Sequence, residues 1–382
     1  MANSILHSVN TRPIQATIHT DALRHNLLQM KGAAGDARIW AVVKANAYGH
    51  GIEHVFEGLR GADGFACLDL TEAQLLRSLG WRGPLLLLEG AFNARDLDWC
   101  SRLSLWHVVH CAQQIDWLST HKTHEPHRVF LKLNSGMNRL GFKPEQYRAA
   151  YIRLSALSQV AEVSHLTHFS DADSATPQGE ATVRSQRQIF EAASQDLDGE
   201  GSLGNSAATL RFPNISGDWV RAGVGLYGSA PDYPAKNSMD WGLLPAMTLS
   251  SQIVGVQHLV AGDRVGYGST FTAPHPMRVG IVACGYADGY PRHASNNPHG
   301  APVLVNGRRS RTLGRISMDM LTVNLTDLPD ADLRSTVTLW GAAPTGELLA
   351  IDEVAAAAGT ISYELMCAVA ARVPKGVSHA VD

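Results

Sequence analysis

Short apolar or β-branched runs punctuate the first two-thirds of the chain: "RIWAVVKA", "GFACLDL", "PLLLLEG", "LWHVVH", "RVFLKLNSG", "VSHLTHFS", "GSLGNSAA" and "WVRAGVGLYG". Between most of them the apolar positions return at helical intervals, as residues on one buried helix face must. The stretch "DALRHNLLQMK" carries Asp21 as an N-cap. "TEAQLLRSLG" opens on Thr71, holds Glu72 in its first turn and stops at Gly80. "PEQYRAAYIRLSAL" opens on Pro144, at home in a first turn. "GEATVRSQRQIFEAASQ" is a further amphipathic helix. Eight strand-like runs in strand–helix units predict an α/β fold built on a (β/α)8 TIM-like barrel. A doubly wound sheet is the competing arrangement.

After Trp241 the pattern changes. "MTLSSQIVGVQHLVAGDRVGYGSTF", "MRVGIVACGYADGY", "APVLVNGRRSRTLGRISMDMLTVNL" and "STVTLWG" alternate as strands between Gly and Asn turns. Only "DEVAAAAG" and "SYELMCAVAARVP" read as helices, opened by Asp352 and Ser362 as caps. Two domains are therefore expected: a barrel over residues 1–243, its first residues able to pair with the second domain, and a mainly β C-terminal domain over 244–382.

Composition narrows the class. Of the 382 residues 45% are hydrophobic and 18% charged, with a net charge of -3. That balance argues against nucleic acid as a partner, which calls for a concentrated basic face. The longest leucine run, Leu85 to Leu88, is too short for a bilayer, so no membrane partner is expected. "MANSILHSVNTRP" lacks a basic start and an apolar core, so no signal peptide is expected. Five scattered cysteines with no CxxC pair suggest neither a disulfide framework nor a cysteine zinc site, and point to a cytoplasmic, reducing setting.

Candidate chemistry collects where barrel strands end, the catalytic rim of this fold. Lys44 ends the first barrel strand in "AVVKANAYGHG". Desolvated there, a lysine becomes a nucleophile towards carbonyls, although position alone leaves a snorkelling rim lysine equally open. His168 closes the sixth strand, Ser206 follows the seventh, and Arg221 lies inside the eighth. A serine hydroxyl with the glycine-exposed amides after Arg221 suits the phosphate site found beyond strands seven and eight. A buried guanidinium such as Arg221 needs acceptors. "GVGLYG" also matches a dinucleotide fingerprint, but the prolines after it break the helix it requires. "HKTHEPH" spaces His121, His124 and His127 as metal ligands, yet Pro126 and charged neighbours favour a solvated loop, so no metal is expected. His165 and His168 fall on different faces of an extended strand. Tyr267, between two glycines in "RVGYGSTF", reads either as packing or as an acid–base group. Met318 and Asp319, in "GRISMDM", belong at a strand end.

Together these stretches resemble the alanine racemase family of pyridoxal-phosphate enzymes. "AVVKANAYGHG", "SGMNRLGF", "LTHFSDAD", "NSAA", "RAGVGLYG", "GYGSTF", "CGYADGYPR", "GRISMDM" and "ISYELMC" occur in the family's order across nearly the whole chain. The resemblance implies a barrel-plus-β-domain homodimer with shared active sites, acting on alanine and supplying D-alanine for peptidoglycan. It implies that Lys44 holds pyridoxal 5′-phosphate covalently. Tyr48, Ser206, Gly223, Val224 and Tyr363 would bind its phosphate, and Arg221 its pyridine nitrogen. Arg139 and the Met318 backbone would meet the substrate. Tyr267 would reach in from the other subunit, beside His168, with Asp319 and Lys132 in support.

Racemisation removes a proton from one face of Cα and returns it to the other, which two opposed bases, Lys44 and Tyr267, accomplish. Arginine does not give up a proton readily, so Arg221 would leave the pyridine nitrogen unprotonated and favour reprotonation at Cα. Two departures stand out. Asn134 and Ser135 replace the acid and threonine common before the arginine. Lys132 occupies a position carboxylated in some members. Rival readings are a broader amino-acid racemase, a decarboxylase of the same fold type, and a non-catalytic pyridoxal-phosphate carrier. The carrier resembles the barrel alone.

Overall fold

The computed structural model describes residues 11–123, 125–213, 215 and 217–378. The chain divides into two compact units, one of them Thr20–Leu244, the other joining the N-terminal stretch up to His19 with the segment from Pro245 onward.

A short strand, β1 (Gln15–His19), belongs to the second of these. The first is a barrel closed by eight parallel strands: β2 (Arg38–Val42), β3 (Gly64–Cys67), β4 (Leu85–Leu87), β5 (Trp106–Val109), β6 (His127–Lys132), β7 (Val160–Leu166), β8 (Gly201–Asn205) and β9 (Trp219–Ala222). They are the eight runs read from the sequence. Such strands are covered on both faces, so they read as near-continuous apolar stretches without alternation. β2 closes on β9 with Ala41 opposite Ala222.

Aromatic rings fill the floor of the barrel at the N-terminal ends of the strands. Trp40 stacks on Trp219 at 4.0 Å between centroids and meets Trp106 edge-on at 5.5 Å. Phe130 joins them, and the Arg38 guanidinium lies 4.2 Å from the centre of the Trp219 ring. β2, β5, β6 and β9 meet here across the barrel, so this layer is its interior packing.

The helices start slightly before the positions expected from sequence. One runs Thr20–Ala34, placing Asp21 in the first turn rather than at the cap. Another runs Leu70–Ser78, capped by Asp69 and not Thr71, because the Asp69 carboxylate accepts the Glu72 amide at 3.0 Å. Pro144–Ser155 begins on its proline as expected, and Pro177–Ser194 is capped by Thr176.

The second unit is a nine-stranded sheet. Its long strand, β10 (Met247–Leu259), pairs antiparallel with β1, Met277–Val282 and Thr336–Ala342. β1 also runs parallel to Lys375–Ser378. Helices Ile351–Ala357 and Ser362–Ala368 accompany the sheet, with Ala350 and Ile361 in the cap positions, so Asp352 and Ser362 are helical residues and not caps. The cysteines form no disulfide, and no helix among the described residues is long and apolar enough to cross a membrane.

Candidate active site

Strand β2 stops at Val42, and Lys44 stands just beyond it at the C-terminal mouth of the barrel. The next four residues form a left-handed turn. Ala45, Asn46, Ala47 and Tyr48 have φ of 54°, 51°, 55° and 52°. For residues with a Cβ that conformation costs about 1–2 kcal/mol each, so the surroundings must enforce it. The Ala47 amide donates to the Val43 carbonyl at 2.7 Å, and the Ile52 amide to the Asn46 side chain at 3.0 Å. The Glu72 carboxylate takes the Asn46 amide at 3.0 Å and the Leu68 amide at 2.9 Å, tying the turn to the end of β3. The Tyr227 hydroxyl donates to the Val42 carbonyl at 2.8 Å.

Tyr48, carried round by this turn, packs its ring 4.7 Å from Tyr227. Its hydroxyl stands 2.5 Å from where a Cβ on Gly223 would be, so any side chain at 223 would push the hydroxyl aside. Ser206 heads the short helix Ser206–Arg211, which Asn205 caps by accepting the Ala208 amide at 2.9 Å. The buried Ser206 oxygen accepts the amides of Gly223 at 2.9 Å and Gly225 at 3.2 Å. Its own proton therefore has no acceptor among the described residues. Val224–Tyr227 forms a tight turn and not the helix that a dinucleotide fingerprint requires.

Arg221 is 5% exposed, on β9. Nη1 donates to the Ser202 carbonyl and hydroxyl, both at 2.8 Å. Nη2 donates to the Thr167 carbonyl at 2.7 Å and the Leu203 carbonyl at 3.1 Å, and faces His168 Nδ1 at 3.3 Å. Only Nε–H is left without an acceptor among the described residues. Burial, then Arg139, lowers the Arg221 pKa to about 10, leaving it charged at neutral pH. Burial and the Arg221 charge push the His168 pKa well below its ordinary value, so its ring is neutral.

Lys132, at the end of β6, is 7% exposed. Burial, then Arg221 and Arg139, lowers its pKa to about 8, and its amine has no hydrogen-bond partner among the described residues. It lines a small cleft with Asn134, Ser135, Arg139 and His168. The departures at 134 and 135 keep this loop in shape. Asn134 Oδ1 accepts the amides of Gly136 at 3.2 Å and Asn138 at 3.0 Å, as a carboxylate would. Ser135 pairs with the Thr167 hydroxyl at 2.7 Å.

The barrel unit thus contains Lys44, Tyr48, Lys132, Arg139, His168, Ser206, Arg221, Gly223 and Val224. The remaining candidates lie in the other unit. Tyr267 opens a turn flanked by Gly266 and Gly268, both at positive φ, and its side chain is 70% exposed. Met318 and Asp319 sit in the loop before strand Leu321–Asn324, with Asp319 bound by Arg372 at 2.6 Å. Tyr363 lies on the helix Ser362–Ala368. The sequence reading placed Glu72 only in a helix's first turn and passed over Asn46, Arg12, Asp288 and Arg372. Glu72 and Asn46 hold the turn after Lys44, and the other three converge on Asp319 or its neighbours. Of these only Asn46, between the lysine and two glycines, carried a local signal.

The histidine-rich stretch departs from its expectation. His124 lies outside the described residues. His127 is buried as the first residue of β6 and so lies outside the loop, whereas His121, extended and half-buried, follows the helix Ala112–Thr120 and opens the loop as expected. His127 Nδ1 lies 3.3 Å from Nε2 of His107, a neighbour on β5 that the sequence did not single out. Burial, then the neighbouring imidazoles, lowers the His107 pKa to about 3 and that of His127 to about 4. No group of three or more His, Cys, Asp or Glu side chains among the described residues is arranged to hold a metal ion. His165 turns away from Arg221, bonding the Tyr147 hydroxyl at 2.8 Å and the Asp198 carbonyl at 3.1 Å.

The sequence matches family models along most of its length: alanine racemase, N-terminal domain, over residues 18–231, and alanine racemase, C-terminal domain, over 246–377. It is 65% identical over 371 residues to the alanine racemase of Paracidovorax citrulli, covering 95% of this chain and 98% of the relative. It is 64% identical over 366 residues to that of a Polaromonas species, with the same coverage. The fold superposes on the biosynthetic alanine racemase of Pseudomonas aeruginosa with a TM-score of 0.90 at 44% identity, covering 96% of this chain and 100% of that one. For the alanine racemase of E. faecalis the TM-score is 0.83 at 31% identity, covering 96% and 98%.

Proposed function

This chain belongs to the alanine racemase family and interconverts L- and D-alanine; we propose that it does so with pyridoxal 5′-phosphate held on Lys44, using Lys44 and Tyr267 as opposed bases. The observation that carries the cofactor assignment is the donor set beside Lys44. The buried Ser206 hydroxyl, with both lone pairs taken by glycine amides, has a proton to give to a phosphate oxygen. Arg221, anchored through both terminal nitrogens, has one N–H to give to a pyridine nitrogen. The lack of a Cβ on Gly223 lets the Tyr48 hydroxyl come close to the backbone that would bind the phosphate. When bound, the cofactor supplies an electron sink that weakens the Cα–H bond of the amino acid.

The chain's own residues do the rest. Tyr48, Ser206, Gly223, Val224 and Tyr363 hold the phosphate. Arg221 donates to the ring nitrogen without surrendering a proton, which keeps electron density near Cα and favours reprotonation there. Lys44 moves a proton on one face of Cα. Tyr267, reaching from a second copy of the chain in a homodimer, moves it on the other. Neutral His168 orients that phenol. The Met318 amide receives the substrate carboxylate, and Arg139 orients substrate and cofactor.

Lys132 suits carboxylation. An amine with a pKa near 8, crowded by Arg221, Arg139 and Lys44, gains by capturing CO2, losing a proton and becoming an anion in the midst of those cations. We place the enzyme in the cytoplasm, its D-alanine feeding peptidoglycan synthesis.

Borohydride reduction of the loaded protein and subsequent peptide mapping test the anchor. Label on Lys44 is expected, and label on any other lysine overturns it. Racemisation measured across a panel of L-amino acids is expected to peak sharply at alanine.

A further inference from the structure

The roles above leave one fully buried carboxylate unused. Asp288 is 0% exposed, and a buried charge persists only when it is paired. Its oxygens accept Arg12 Nη1 at 2.6 Å, Arg12 Nη2 at 3.0 Å, Arg372 Nε at 2.7 Å and the Gly285 amide at 2.9 Å. Burial opposes its ionisation, but the two arginines and the amide outweigh that and hold the carboxyl below its ordinary range.

Both arginines reach onward to the same residue. Arg12 Nη2 donates to the Asp319 carbonyl at 3.0 Å, and Arg372 Nη2 to the Asp319 carboxylate at 2.6 Å. Two guanidiniums and two carboxylates balance in charge, so the assembly acts as a rigid brace with no excess charge. The Asp288 turn is also laced directly to the loop before Asp319. The Tyr286 amide donates to the Ser317 carbonyl and the Ala287 amide to the Met318 carbonyl, both at 3.0 Å. Any Cβ on Gly285 would overlap those same two carbonyls. Within this fixed loop the amides of Met318 and Asp319 have no acceptor among the described residues.

We propose that Asp288, with Arg12 and Arg372, is a positioning residue for the substrate: it fixes the 317–320 loop so that the Met318 amide meets the carboxylate of the amino acid. Asp288 does not itself touch that carboxylate. The inference rests on the assignment of the Met318 amide in the proposed function.

The test uses the full-length, cofactor-loaded protein with Asp288→Asn and Arg372→Lys. Lysine keeps the charge at 372 but cannot span Asp288 and Asp319 with two nitrogens. Propionate is the carboxylate probe and ethylamine the carboxylate-free amine. In both variants the propionate Kd and the alanine KM are expected to rise about tenfold, as when a hydrogen bond to a charged group is lost. The kcat is expected to change less than about threefold and ethylamine binding to stay as in wild type, because binding common to ground and transition states acts on KM. Wild-type propionate affinity in Arg372→Lys overturns the proposal, and so does a parallel loss of propionate and ethylamine binding, the mark of general loosening. Arg372→Lys, altered on the exposed side of the brace, carries the test if Asp288→Asn does not fold. A wild-type protein that neither binds propionate nor racemises alanine would overturn the functional reading itself, and this assignment with it.

Discussion

Nη2 of Arg221 stands 3.3 Å from Nδ1 of His168, and that contact settles the imidazole's tautomer. A guanidinium offers only donors, so Nδ1 faces it as an acceptor and the ring proton resides on Nε2. His168 thereby presents a single N–H, suited to a phenolic oxygen carrying negative charge. On the proposed arrangement that oxygen is the partner copy's Tyr267, the base for one enantiomer. Tyr267→Phe is expected to slow Cα-proton exchange of L-alanine by at least about 100-fold, the usual scale for a general base, and that of D-alanine by far less. Deuterium exchange monitored by NMR checks this. Equal losses for both enantiomers would count against the two-base assignment.

Lys132 carries a second prediction. With its pKa near 8, a useful fraction of neutral amine is available for CO2 at mildly alkaline pH and little at pH 6. A carbamate signal from 13C-bicarbonate is expected in the NMR spectrum of the wild type at pH 8, absent in Lys132→Met. The same depressed pKa has a stability sign. Between about 8 and the ordinary value of 10.5 the unfolded chain binds more protons than the folded one, so the unmodified residue's contribution becomes more favourable as pH rises through that window. A carbamate-free wild type would count against carboxylation of Lys132.

The buried histidine pair sets an acid limit on the barrel. Both folded pKa values, about 3 for His107 and about 4 for His127, lie below the ordinary 6.5. The unfolded chain therefore takes up protons first, and stability falls as pH drops from 6.5 towards 4. His127→Gln keeps a hydrogen-bonding partner for His107 but cannot become charged. It is expected to lower the midpoint of acid unfolding by about half a pH unit or more. An unchanged midpoint in circular dichroism titration would show that other groups govern acid unfolding.

The left-handed turn after Lys44 makes a prediction opposite to ordinary helix rules. Ala45 is exposed, with φ of 54°. In a right-handed helix Ala→Gly costs about 1 kcal/mol. Here Ala45→Gly is expected to be neutral or to stabilise by up to about 1 kcal/mol in urea denaturation, since glycine adopts this conformation without strain. Cofactor affinity should fall at the same time, because a relaxed turn holds Lys44 and Tyr48 less firmly. A destabilised variant would mean that the turn is not strained.

Much of this was legible in the sequence because it was repetitive or local. The eight strands announced themselves as apolar runs, and the glycines around Tyr267 and after Arg221 marked turns that only glycine makes easily. What escaped notice depended on partners far along the chain. Arg12, Asp288 and Arg372 converge from positions far apart in the chain, and nothing beside any of them signals the others. Asp69 outcompeted Thr71 as a helix cap because its carboxylate reaches the Glu72 amide. His127 looked solvated because its neighbours in the sequence are charged, while the imidazole it meets lies on an adjacent strand. The left-handed turn was hidden because alanine favours right-handed helix and carries no glycine-like signal for positive φ.

The aromatic layer beneath the site bears on traffic. Trp40, Trp106, Trp219 and Phe130 pack against one another in the lower part of the barrel. On the proposed arrangement, substrate meets Lys44 at the opposite, C-terminal ends of the strands. Isotope picked up by Lys44 from solvent then enters from that side, so how often label washes in during one turnover reports how well the site excludes water.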